Sequence, residues 1–519
     1  MNDRLRPRDL AILSMESAST PMHNATLEVF APDRQAFDHA RVTEMAADRI
    51  SYVPRYRQRI LQVPGQLANP IWVDDPDFDI GYHVRRSALP RPGSMDQLRE
   101  LTARIVSRPL DRSRPLWEVY VIEGLEGGRV AVLSKSHQIL VDGVETVDIG
   151  QVVLDTDPRQ GPLGHDAEWR PRRSPTPASL VLGAVADNLE SPRTLAASVR
   201  SNVESLRRRA EHVVDGMNQV AGVFSGRGTT GPAPFQGQLS QQRRVVTVAT
   251  DLAEYRRIRR VHGTTVNDVV LATVTGGLRA WLMTRDEALF GLRQLRALVP
   301  MSVIDDELEA TSLRTQVIGL EVNLPVGEVS PVVRLLQVNY GLQGHRETGR
   351  SVSAQRLTDI AGFAPTTFHA LGARVATREL RKGFHLSVTN VPGPQFPLYA
   401  AGAQMVESYP IHPLVPGHGL AIGVTSYDGQ VFYGITADRD LVPDAEVLGA
   451  CLVEALEELR DTVSGVRERA PRGRRGARAS QTGGSKRSTA ARGGTKKSGS
   501  GTGAQRDAGP GPSTPEEKP

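Results

Sequence analysis

The sequence predicts an α/β protein of two domains joined by a helical connector, and three observations carry that expectation. Strand-like alternation gives way to helical spacing within residues 1–164, and does so again within residues 241–465. Between them, residues 165–240 open on the Pro-rich WRPRRSPTPAS and close on the Gly/Pro-rich SGRGTTGPAPFQG, punctuation that separates folding units. At 519 residues the chain has length for two ordinary domains with a sizeable core, which excludes a small stapled fold.

Taken in order, RVAVLSKSHQ (129–138) alternates as a strand, and VETVDIGQVVLD (144–155) follows with helical spacing, giving a strand–turn–helix unit. Residues 180–220 read as the helical part of the connector. In the second half RRVVTVATD (243–251) is a strand. TTVNDVVLATVTGGLRAWL (264–282) is a helix with Val269, Val270, Thr273, Val274, Gly277, Leu278 and Trp281 on one stripe. GHGLAIGVTSYDGQVFYGITAD (417–438) is a hairpin turning at Asp428-Gly429.

Charge is unevenly distributed. The net +5 hides a segment from Pro471 onward with eleven Lys and Arg against three acids, net +8, while the preceding 470 residues are net −3. That segment lacks aromatic and nearly all large aliphatic residues, so residues 466–519 are expected to form a basic, disordered tail. A single cysteine, Cys451, cannot form an internal disulfide and reads as a small buried hydrophobe in a reducing compartment. No apolar run approaches the roughly 18 residues of a membrane span, so the expected location is cytoplasmic, peripheral to the inner face of the membrane or to lipid droplets.

Chemistry concentrates in PLWEVYVIEGLEGGRVAVLSKSHQILVDGV (115–144), with PMHN (21–24), VPRYRQR (53–59), TVNDVVLA (265–272), LPVGE (324–328), NVPGP (390–394) and ADRDLVPD (437–444) in order around it. This ordered set resembles the bacterial wax ester synthase/diacylglycerol acyltransferase family, whose pattern is PLWxxxxIEGL followed by a strand ending in HHxxxDG. The resemblance implies two chloramphenicol-acetyltransferase-like domains with an interdomain tunnel. It also implies acyl-CoA as donor substrate, diacylglycerol or a long-chain alcohol as acceptor, and no further cofactor.

A hydroxyl attacking a thioester needs a group to take its proton, and imidazole is matched to that task at neutral pH. In the resembled motif the second histidine is this base. Here Gln138 holds the position, and a carboxamide has no accessible protonation equilibrium. Losing a general base typically costs roughly 100- to 10,000-fold in rate. His137 remains, but strand neighbours point to opposite faces, so if Gln138 lines the tunnel His137 faces away from it. It then reads either as a core histidine bonded to nearby backbone or as a displaced base.

Asp142 opens the next helix as a capping box with Glu145, and Gly143 permits the tight turn; the resemblance makes Asp142 an orienting group. Asp268 likewise reads as a capping box with Thr265, while the resemblance places Asn267 and Asp268 near the tunnel. Asn390, Pro392 and Gly393 form a turn that the resemblance sets on the acyl-CoA side. Pro115, Leu116 and Trp117 read as core packing. Two further departures from the resembled pattern are Ile304, where arginine is common, and Arg314-Thr315, where Gly-Asn is common.

His412 and His418 bracket a Pro/Gly loop and are substitute bases only if that loop reaches the tunnel. His23, His83 and His385 show no metal-site spacing, so no metal is expected; neither a phosphate-cradling loop nor a nucleophile elbow appears. The basic tail is expected to contact an anionic membrane or lipid-droplet surface. It has no aromatic residues for base stacking, so sequence-specific nucleic-acid binding is not expected.

Overall fold

Two six-stranded sheets grow from the alternating segments. They are seen in a computed structural model that describes residues 4–5, 7–31, 37, 39–50, 53–66, 68–140, 150, 154–159, 169–182, 233–285, 293–302, 317–347 and 383–464. All of these belong to one compact unit within Met1–Ala470.

After helix α1 (Pro7–Met15), the N-terminal half supplies strand β1 (His23–Phe30) and helix α2 (His39–Ile50). A small antiparallel pair follows, β2 (Gln58–Leu61) with β3 (Ile71–Asp74). Then come α3 (Ile80–His83), β4 (Val84–Ala88), α4 (Met95–Val106), β5 (Trp117–Glu123) and β6 (Val130–His137). Ser94 and Gln97 close a capping box at the start of α4, fixing where that helix begins. The first large sheet is completed from far along the chain: β11 (Tyr399–Ala400) and β12 (Ala403–Ile411) add to it in the order β11-β12-β1-β6-β5-β4.

The second sheet contains β7 (Arg243–Asp251), β8 (Leu295–Ser302), β9 (Val317–Leu324), β10 (Leu386–Pro392), β13 (Leu420–Tyr427) and β14 (Gln430–Asp438), ordered β7-β14-β13-β10-β8-β9. Val246, Ile435, Ile422 and Val388 share a core with α5 (Leu252–His262), α6 (Val266–Thr284), α7 (Pro331–Glu347) and α8 (Ala445–Val463). Neighbours of opposite parity, Val245, Phe432 and Tyr427, instead join the core of the first sheet. Strands β7, β13 and β14 therefore divide their side chains between two cores, as a period of two requires.

Several expectations hold at residue level. The strand read at 243–251 is β7, and the 264–282 helix is α6, shifted by two residues at each end with Thr265 as its cap. The seven stripe residues of α6 are all buried, but so are Leu271, Ala272, Thr275 and Gly276, because α8 and α7 close the flanks. The hairpin turns at Asp428 (φ 42°) and Gly429 (φ 81°), two left-handed residues as a type I′ turn demands.

Others need correction or fall elsewhere. The helix read over 144–155 does not reach its end: Asp155 makes a β-bridge with Tyr399 and a buried ion pair with Arg49, 2.6 Å. Paired backbone hydrogen bonds with Tyr399, 2.7 and 2.8 Å, hold Asp155 in that bridge. Of the rest of that span only Gly150, which is helical, and Leu154, which is not, are described. Most of the 180–220 connector, the 466–519 tail, Ile304, Arg314 and Thr315 lie outside the described residues.

Strand β12 runs against the second sheet where β13 and β14 carry an opposed glycine pair, Gly423 and Gly434. A Cβ on Gly423 would stand 2.9 Å from both the Pro410 carbonyl oxygen and His412 Nε2, and one on Gly434 would run into that same carbonyl. The pair therefore makes a slot for the end of β12, and the two sheets meet there.

Candidate active site

Strand β6 ends at His137, and Gln138 follows in a turn, its backbone N–H donating to the Met22 carbonyl at 3.1 Å. Both side chains are buried, Gln138 fully. Register puts His137 directly opposite His23 on β1, and Ser136 opposite Asn24.

His137 is tied down locally. Its Nδ1 accepts the Ile139 N–H at 3.3 Å, and its Nε2 faces the Glu16 carboxylate at 3.5 Å, the outer limit of a hydrogen bond. Glu16 also takes Arg112 Nε at 3.0 Å and the Met22 N–H at 3.4 Å. Burial alone would raise the Glu16 carboxyl, but His137 and Arg112 outweigh it and hold it at about 2. These contacts tie the His137 ring to the neighbouring backbone and to Glu16.

His23, across the strand pair, is differently engaged. Its Nε2 donates to the Val106 carbonyl at 2.7 Å, while Lys135 Nζ donates to the Ile105 and Arg108 carbonyls at 3.2 and 2.6 Å. Together they bond carbonyls at and just beyond the C-terminal end of α4. Burial, reinforced by the Lys135 charge, holds His23 well below the usual histidine range. Lys135 itself is brought down to about 8 by burial, opposed by Glu118.

Among the other candidates, the structure brings Asn267 and Asn390 together: Asn390 Nδ2 donates to Asn267 Oδ1 at 2.8 Å, linking the start of α6 to the end of β10. Asp268 is buried in the expected capping box, accepting the Thr265 N–H at 2.8 Å. It also receives Asn339 Nδ2 of α7 at 2.7 Å, a partner local reading missed. Pro392 is exposed at the end of β10, and the Gly393 N–H donates to the Ser426 carbonyl at 2.9 Å. Gln138 and the Asn267–Asn390 pair stand on different sheets. Asp142 and Gly143 lie outside the described residues.

Trp117 is a core residue, as read: its indole donates to the Tyr56 carbonyl at 2.8 Å and stacks on His83 at 4.4 Å. His418 is held by the carbonyls of Phe384 and Pro416 at 2.8 and 3.0 Å. His412 instead sits in the glycine slot and lines a small cavity between the sheets together with His23, Ala25, Arg243, Ile411 and Thr436. Burial brings His412 down to about 4. Arg243 spans the junction: its backbone N–H donates to Ser107 Oγ at 3.0 Å, and its guanidinium contacts Asp438 and the Ser19 carbonyl. Sequence reading passed over Glu16, Arg243 and Thr436. Only the strand alternation of His23 with Ala25 and Leu27 offered a signal for this face.

The two packed sheets with their flanking helices make a mixed α/β fold of the acyltransferase kind. Residues 5–270 match the model of the wax ester synthase/diacylglycerol acyltransferase catalytic domain, and residues 315–460 match the WS/DGAT C-terminal domain. The chain belongs to that family. A Mycobacterium tuberculosis protein named probable diacylglycerol O-acyltransferase tgs1 is 33% identical over 84% of this chain and 90% of its own. A second from that organism, tgs2, is 30% identical over 89% of this chain and 99% of its own. The solved wax ester synthase/diacylglycerol acyltransferase from Marinobacter aquaeolei VT8 superposes with a TM-score of 0.62 at 25% identity, covering 89% of this chain and all of that one.

Proposed function

We propose that this protein transfers a fatty acyl group from acyl-CoA to the hydroxyl of diacylglycerol or a long-chain alcohol, at a rate limited by Gln138. The observation that carries the reading is the match to both domains of the family in their order. The relatives' names give diacylglycerol as acceptor and wax ester as product, from which acyl-CoA and a long-chain alcohol follow as the reactants, and Gln138 supplies hydrogen bonds where a proton acceptor is needed.

The test is turnover of acyl-CoA with diacylglycerol and with 1-hexadecanol, measured for the parent and for Gln138→His. The parent should turn over slowly and the substitution should raise kcat at least about tenfold, since a well-placed base is worth more than that. A second reading, a catalytically silent lipid-binding member of the family, is favoured by the occupied lone pair of His137. Equal inactivity of both proteins over a broad panel of acceptors would decide for it.

A further inference from the structure

The cavity between the sheets holds two polar atoms that nothing described above uses. His23 Nδ1 and Thr436 Oγ1 are both buried without a hydrogen-bond partner among the described residues, and the two side chains line the same cavity from opposite sheets. Its volume is about 10 Å³, room for roughly one oxygen-sized group. Because His23 Nε2–H is committed to the Val106 carbonyl, the tautomer is fixed and Nδ1 carries a lone pair. The threonine hydroxyl is free to donate. An acceptor from one sheet and a donor from the other are complementary to a single neutral hydroxyl.

The position matters as much as the chemistry. Gln138 bonds through its N–H to the carbonyl of Met22, the residue just before His23. The backbone of His23 therefore adjoins the turn that carries Gln138, while its imidazole lies on the same strand face as His137. Two other histidines are engaged at the nitrogen that would accept, His137 Nδ1 by the Ile139 N–H and His385 Nδ1 by the Arg296 N–H at 2.8 Å, while His412 lines the same cavity as His23. His83 has an open Nε2 but is stacked between Trp117 and Phe78.

We propose that His23 and Thr436 form the seat of the acceptor's hydroxyl, with His23 Nδ1 taking its proton. This rests on the acyl-transfer reading above. As the hydroxyl oxygen bonds to the thioester carbonyl carbon, its proton passes to Nδ1. The carbon–sulfur bond then breaks, and the proton leaves Nδ1 for the CoA thiolate, so the protein ends unchanged.

Two measurements on the full-length chain test it. In the ¹⁵N-histidine-labelled protein, 1-hexadecanol or dioctanoylglycerol should shift the His23 Nδ1 resonance, hexadecane should not, and Thr436→Val should reduce the shift. In turnover, His23→Gln should lower kcat at least about 100-fold with KM changed less than about threefold. A His23 resonance that no alcohol moves, as for a cavity holding only water, overturns the seat. A shifted resonance in a protein without turnover upholds the seat and rejects acyl transfer. Turnover indifferent to His23→Gln rejects its role as proton acceptor. Should His23→Gln fail to fold, the Thr436→Val comparison still decides, since a resonance shift undiminished by loss of that hydroxyl overturns the proposal.

Discussion

Glu16 and His412 should give this protein a two-step response to acid. His412 resists protonation in the fold, at about 4 against its ordinary 6.5, because it is buried; His23 is lowered in the same direction. The unfolded chain then binds more protons than the folded one below 6.5, so the stabilisation is complete above that pH and is lost as pH falls toward 4. Glu16, held at about 2 against 4.5, contributes stability that is complete above 4.5 and is lost as pH falls through 2. Thermal midpoints should therefore decline between pH 6.5 and 4, and His412→Gln should flatten that decline. An unchanged slope in the variant would show that His412 is not what titrates. None of this was legible in the sequence. His23 meets a carbonyl 83 positions away, and His412 was readable only as one end of a loop.

Glycines separate two kinds of packing in the strands and helices. On β14, Gly434 leaves no room for a Cβ beside the Pro410 backbone, so Gly434→Ala should destabilise by about 1–3 kcal/mol and disturb the seating of β12. On α7, Gly341 is exposed with nothing near the Cβ it lacks, and Gly341→Ala should stabilise by about 0.5–1 kcal/mol. Denaturant midpoints of the two variants should move in opposite directions. Removing the Asp268 carboxylate takes away a helix cap worth about 1 kcal/mol and leaves Asn339 without its partner. Asp268→Ala should accordingly lose about 2–4 kcal/mol by chemical denaturation, with any loss of turnover following the loss of folded protein. Elements with a local cause, such as α6 behind Thr265 and the Asp428-Gly429 hairpin, were readable within two residues. Strand β12 was not, because AQMVESYPI carries no signal for which sheet it will join; that is settled by the slot at Gly423 and Gly434.

Over the whole chain, residues 1–470 carry a slightly negative net charge and the terminal segment is net +8. No helix among the described residues is long and apolar enough to cross a membrane. Eleven Lys and Arg near an anionic surface can each contribute about 1 kcal/mol, an attraction that salt screens. Deleting residues 471–519 should weaken sedimentation with anionic liposomes, most visibly at low salt, and leave the thermal midpoint unchanged. Equal sedimentation of both forms at low ionic strength would reject that role for the segment.

The placement of β12 also sets an order of events during synthesis. On the ribosome, β1 through β6 emerge well before residues 403–411 exist, so one edge of β1 waits with its backbone groups unpaired. A nascent chain in that condition is a template for pairing with its neighbours, and a holding chaperone would be needed until β12 arrives. A fragment ending at residue 270 should accordingly aggregate when expressed alone, and recover solubility when residues 383–464 are supplied in trans.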